Sequence, residues 1–192
     1  MDVRLAPSFS REGYVAATED ITESRLLLAE YDRIKEEQKA RIGFRDNLLY
    51  FTLAASTAVL AITVQNRHAQ LLLAVPVICI VLGWTYLVND EKISAIGRYI
   101  RDQLGPRLAE LSGTRRGAVF GWEIYHRGDA NRTTRKRLQT TIDLLTYLAS
   151  PMTCVIAFWC SRAAHPLLLI VSIVQALALA VLGWQFLRYA ER

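Results

Sequence analysis

Four long apolar runs, nearly free of charge, constrain this chain more than any other feature of its sequence. They occupy residues 47–64, 71–88, 142–160 and 167–187, each with 18 or more residues. At about 1.5 Å of rise per helical residue, such a run makes roughly 27 Å, close to the ~30 Å hydrocarbon core of a bilayer. The buried helices of a soluble protein keep one polar face. The second run has none, and the fourth has only Ser172, Gln175 and Gln185. The sequence therefore predicts an all-α membrane protein with four transmembrane helices. Its charged residues, 21% of the chain, lie between the runs. An apolar content of 52% excludes disorder, and three cysteines exclude a disulfide scaffold.

The connections pair these helices. Residues 66–70 and 161–166 are short enough for tight turns, giving two hairpins. Pro166 suits a helix start. Lys and Arg set the orientation: 21 of the 23 lie before the first span, between residues 89 and 141, or in the tail. Only Arg67 and Arg162 fall in the turns. The positive-inside rule then places both termini and the central segment in the cytoplasm and both turns outside. The first 40 residues carry no apolar targeting stretch, so the first span is expected to target the chain.

The hairpins resemble each other. Val81-Leu82-Gly83-Trp84 closes the second span, and Val181-Leu182-Gly183-Trp184 closes the fourth. Asp46 and Tyr50 open the first span, and Asp143 and Tyr147 open the third with the same spacing. The anchors lie 37 residues apart in one hairpin (Asp46 to Gly83) and 40 in the other (Asp143 to Gly183). These matches predict a parallel duplication. The resulting organisation is a disordered stretch over 1–14; a unit over 15–111 with a cytoplasmic helix, the first hairpin and a following helix; and a unit over 112–192 with a cytoplasmic loop and the second hairpin.

The cytoplasmic parts read as extensions of the spans. Residues 15–45 form one long helix with a stripe of Leu27, Tyr31, Ile34, Gln38 and Ile42. Residues 91–111 form a second amphipathic helix on Ile93, Ile96, Ile100 and Leu104, with a bend expected at Gly105-Pro106. Loops are expected at 112–114 and 128–134.

Polar residues supply the candidate sites. Thr52, Ser56 and Thr63 share a face of the first span, and Thr146, Ser150 and Thr153 share one of the third. With Gln175 they are the candidates for lining a pore, although hydroxyls in membrane helices also serve packing by bonding to their own carbonyls. Asp46 and Asp143 are the candidates for a cytoplasmic mouth. Trp122 with Arg132, Arg135, Lys136 and Arg137 is the candidate for anionic lipid or another anion. Trp84, Tyr86, Trp184 and Phe186 read as an interfacial aromatic belt. Cys79, Cys154 and Cys160 read as packing residues. Catalysis is not expected: Glu123 and His126 lack further metal ligands, and no phosphate loop or nucleophile elbow is present. No cofactor or metal is expected.

The run from Tyr31 to Tyr50 (YDRIKEEQKARIGFRDNLLY), with Val88-Asn89-Asp90-Glu91-Lys92 and Phe120-Gly121-Trp122-Glu123, resembles small bacterial four-span integral membrane proteins of unknown function. A second resemblance, in architecture, is to the SLATT-type membrane effectors of bacterial defence systems. Those join a cytoplasmic helix to a membrane hairpin; this chain has two hairpins and no fused sensor domain. The resemblances imply an inner-membrane protein. From them and the polar stripes, the expected function is a homo-oligomer that forms or gates a pore and answers a cytoplasmic signal. The alternative is a non-conducting scaffold that recruits a partner through its N-terminal helix. The expected partners are the lipid bilayer, further copies of the chain, and a cytoplasmic protein or nucleotide signal. DNA and RNA are not.

Overall fold

A computed structural model describes residues 23–115, 119–121, 132–161 and 165–190. Among them all regular structure is helical. Helix α1 is Glu23–Asn66. After a turn and a 3-10 segment at Ala69–Leu73 comes α2, Ala74–Tyr99, which continues through a π turn at Ile100–Leu104 into α3, Gly105–Leu111. Helix α4, Arg132–Leu144, passes through a second π turn, Leu145–Ala149, into α5, Ser150–Cys160. Helix α6 is Pro166–Ala190. Four of the resulting rods are long and apolar enough to cross a membrane.

The helices outrun their apolar sections. With 44 residues, α1 extends about 66 Å, roughly twice the hydrocarbon thickness. The second rod, Ala69–Leu111, is as long. It does not break after Val88, and Gly105-Pro106 does not end it. Instead a wider turn precedes the proline, closed by the Gly105 N–H to the Ile100 carbonyl. Proline lacks an N–H and crowds the carbonyl four residues back, and a π turn makes room for it. The same device recurs before Pro151, where the Ser150 N–H bonds the Leu145 carbonyl. Pro76 and Pro166 sit in first turns, where a missing donor costs nothing.

Two expectations are corrected. Residues 132–134, expected as loop, already belong to α4, whose Thr-rich and basic first turns continue straight into apolar sequence. Tyr86 and Phe186 are not interfacial belt residues. They are buried with Tyr147, Leu48, Leu87 and Leu182 in one core cluster, whereas Trp84 and Trp184 are exposed. The expectations for residues 1–14, for the helix over 15–22, for the loop over 128–131 and for Trp122, Glu123 and His126 lie outside the described residues, as does the side chain of Arg132.

Helix α2 is the centre of the bundle. It packs against α1, α5 and α6. Of the most apolar stretch of each rod, 39% is buried in the α2 rod but only 17% in α1, so α1 is the peripheral helix. Close approach is built in at Gly83: a Cβ there would stand 2.9 Å from Tyr147 Cδ1 and 3.0 Å from Leu182 Cδ2. Gly183 is equally tight, at 2.8 Å from Leu148 Cδ2. Small residues that let helices touch are the main means of packing in lipid, where apolar burial gains nothing over the solvent.

Beyond the apolar zone, the first half of α1 lies along the end of α2 and α3. Leu27, Ile100, Leu104 and Leu108 are buried there, flanked by Tyr31, Ile34 and Ile96. Phe120 stacks on Tyr31, ring centroids 4.0 Å apart. The turn at Gly113, with φ of +64°, takes the backbone conformation that glycine adopts without strain.

Candidate functional site

The functional candidates that the structure brings together lie at the charged end of the apolar zone. Arg41, Arg45 and Asp46 leave α1 there, and Asn89 and Asp90 leave α2. Arg45 donates to Asp90 Oδ1 at 2.8 Å and also holds Asp46 Oδ1 at 3.2 Å. Arg41 holds Glu37 at 2.6 Å and donates to Asn89 Oδ1 at 3.3 Å. The Asn89 amide returns a bond of 2.6 Å to the Arg41 carbonyl. This clasp fixes α1 against α2 just where a charge would otherwise meet hydrocarbon.

One helix further in sits Asp143, only 7% exposed. Its Oδ1 accepts a 2.8 Å bond from the Tyr86 hydroxyl, and that hydroxyl accepts from the Gln139 amide at 3.3 Å. Tyr86, Asp90, Lys136, Gln139 and Asp143 line one cavity together. Tyr147, one turn along from Asp143, is fully buried against Tyr86 and Phe186. Its hydroxyl has no hydrogen-bond partner among the described residues.

The two mouth candidates thus differ. Asp143 is inside, and Asp46 is half-exposed beside Arg45. The pore-lining candidates divide as well. Thr52, Ser56 and Thr63 are buried between helices. The Thr52 and Thr63 hydroxyls bond their own helix at the Leu48 and Val59 carbonyls, each at 2.7 Å, as the exposed Thr57 and Thr153 bond Leu53 and Ala149, so it is burial and not the bond that sets them apart. Ser56 faces Cys79. Thr146 is half-buried, while Ser150 and Thr153 face outward. Gln175 faces protein and donates to the Leu73 carbonyl at 3.0 Å. Cys79 and Cys154 are buried, and Cys160 is exposed.

The basic candidates Arg135, Lys136 and Arg137 are exposed on α4. Farther from the apolar zone, the Tyr99 phenol donates to Glu30 at 2.7 Å, and this bond holds its proton above the usual range. Arg101, bonded to Asp102, keeps that carboxyl below its usual range. Among the described residues no group of three or more His, Cys, Asp or Glu is placed to hold a metal. Sequence reasoning missed Tyr86, Gln139, Asn89 and Asp90 as members of the charged cluster.

Fold and site together have the make-up of a helical multi-pass membrane protein with a polar clasp at one end of its bundle. The chain matches no family model, no curated protein and no solved structure.

Proposed function

We propose that the chain is a homo-oligomeric membrane protein that forms or gates a pore between its subunits. Its charged end and both termini lie in the cytoplasm. One observation carries the reading: small and hydroxyl-bearing residues of two helices point away from the bundle within the apolar zone. On α1 these are Ala54, Thr57, Ala58 and Ala61; around α5 they are Ala149, Ser150, Thr153 and Ala157. Large apolar side chains suffice to face lipid, whereas small faces let helices of separate subunits approach closely. In such an assembly Ser150 and Thr153 supply polar lining, joined by Thr57. Thr52, Ser56, Thr63 and Gln175 act in packing within the subunit.

The orientation is supported by the distribution of Lys and Arg. The exposed Arg135, Lys136 and Arg137 then lie at the cytoplasmic interface, where anionic headgroups attract basic residues by about 1 kcal/mol each. The paired Val-Leu-Gly-Trp and Asp-x3-Tyr segments support a parallel duplication. The SLATT-type likeness extends the proposal to an effector answering a cytoplasmic signal, and it rests on architecture alone. The scaffold reading draws no comparable support, because Leu27, Tyr31 and Ile34 already pack against α2 and α3.

Ion flux through liposomes tests the proposal. Flux should scale with protein and fall at least tenfold with Thr153→Trp. Cross-linking between subunits should be strong for cysteines placed at Ala58 or Ala157. A protein that remains monomeric in liposomes and passes no ions sinks the proposal.

A further inference from the structure

The positive charge of the chain is distributed unevenly between its helices. Along the arm formed by α1, α2 and α3, arginines meet carboxylates. Arg33 holds Glu36, Arg41 holds Glu37, Arg45 holds Asp90 and Arg107 holds Glu23. Helix α4 has no such acids of its own in its first turns. Arg132, Arg135, Lys136 and Arg137 fall within six positions, and no Asp or Glu stands between them and Asp143. Asp143 is buried and accepts its hydrogen bond from Tyr86. Arg135, Lys136 and Arg137 are all exposed.

On the face of Arg135 the charge gives way at once to hydrocarbon. Leu138, Ile142 and Leu145 are 61%, 45% and 58% exposed. Their spacing from Arg135 keeps all four residues on one side of the helix. A basic turn above an apolar stripe matches the two halves of an anionic phospholipid, its headgroup and its acyl chain. Helix α6 brings a further cation to the same level. Lys136 and Tyr189 line one cavity, and Arg188, next to Tyr189, stands 5.6 Å over the exposed Trp184 ring. A zwitterionic headgroup carries no net charge to answer four basic residues with no acid among them.

The geometry points to a seat for an anionic phospholipid on the exposed face of α4. Arg135 and Lys136 hold its phosphate, and Leu138, Ile142 and Leu145 lie along an acyl chain. Arginine suits this role because its guanidinium can grip a phosphate with two parallel hydrogen bonds. Arg137 and Arg188 add to the positive field at that level. The seat deepens the reading above: it rests on the charged end lying at the membrane surface, and not on conduction. Each basic residue near an anionic surface is worth about a fivefold preference.

The test is native mass spectrometry of the delipidated full chain in detergent, titrated with phosphatidylglycerol or with phosphatidylcholine of the same acyl chains. The anionic lipid should bind at least about tenfold more tightly. Arg135→Gln, Lys136→Gln and Arg137→Gln together should remove most of that preference. Taking the same charge from the arm, by Arg33→Gln, Lys39→Gln and Arg98→Gln, should leave it in place. Should the α4 triple variant fail to fold, Arg135→Gln alone should lower the preference about fivefold. Glycerol 3-phosphate should displace none of the bound lipid, because it has no acyl chain for the apolar stripe. Equal binding of the two lipids overturns the proposal. So does a preference that survives the α4 substitutions or falls with those in the arm. Displacement by glycerol 3-phosphate overturns it as well, since the site would then be one for a free anion. Lipid preference and ion flux are read separately, so either can fail without the other.

Discussion

Asp46-x3-Tyr50 and Asp143-x3-Tyr147 are spelled alike and stand in opposite surroundings. Tyr147 is 0% exposed and Tyr50 is 67% exposed. Asp143 is inside and bonded to Tyr86, whereas Asp46 is half-exposed and held by its own neighbour Arg45. The difference comes from the partners. The π turn between α4 and α5 meets the central α2 at Gly83, which has no side chain to hold Tyr147 away. Helix α1 lies at the edge of the bundle, where the described residues leave Tyr50 largely exposed. The same local sequence thus builds a core in one place and a surface in the other.

The contrast is broken most severely at the tyrosines. Tyr147→Ala should cost about 3 kcal/mol or more, as truncation of a buried aromatic does, and Tyr50→Ala under about 1 kcal/mol. Denaturant titration in mixed micelles measures both, and equal costs would show that the burial difference carries no energy. Next come the glycines. Gly83→Ala must push a Cβ into Tyr147 and Leu182 and should cost about 1–3 kcal/mol. Gly43→Ala meets nothing within 4 Å and should be neutral or stabilising by up to about 1 kcal/mol. Melting temperatures that move in opposite directions bear this out.

The aspartates sharpen the comparison further. Asp143→Ala leaves the buried Tyr86 hydroxyl proton without its acceptor, at about 1–3 kcal/mol, whereas Asp46→Ala removes an exposed pair worth about 0–1 kcal/mol. Tyr86→Phe combined with Asp143→Ala should then cost less than the two single changes added together, a non-additivity that a double-mutant cycle reads directly. The smallest effect belongs to the far end of α2. The Tyr99 phenol is raised in the folded state by Glu30, so its contribution is complete below the unfolded value of about 10 and is lost as pH climbs through the folded value. A slight alkaline loss of stability should therefore vanish in Tyr99→Phe.

The four helices long and apolar enough to cross a membrane were legible because charge-poor runs of this length have few alternatives. The clasp was legible in principle. Arg45 and Asp90 each lie 22 residues from the turn at Arg67-His68, and residues equidistant from a hairpin turn come to stand opposite one another. The faces were not legible. A helix apolar all round carries no moment to say which side meets protein, so Tyr86 and Phe186 read as interface when they are core. The threonine stripes failed to declare themselves for the same reason: a hydroxyl that bonds its own carbonyl is as content in packing as beside water. Residues 132–134 read as loop because helix propensity is weak in that threonine-rich stretch, and continuity with the apolar run overrode it.

The bond from Gln175 to the Leu73 carbonyl spans 102 residues of sequence. At a synthesis rate of about 5–20 residues per second, the ribosome needs on the order of 5–20 s to make what separates the two groups. During that interval the first hairpin lacks the Gln175 amide at its Leu73 carbonyl, and the seat of Tyr147 beside Gly83 is vacant. Biogenesis is therefore a relay, in which the early helices must be inserted before the late ones arrive to seal them.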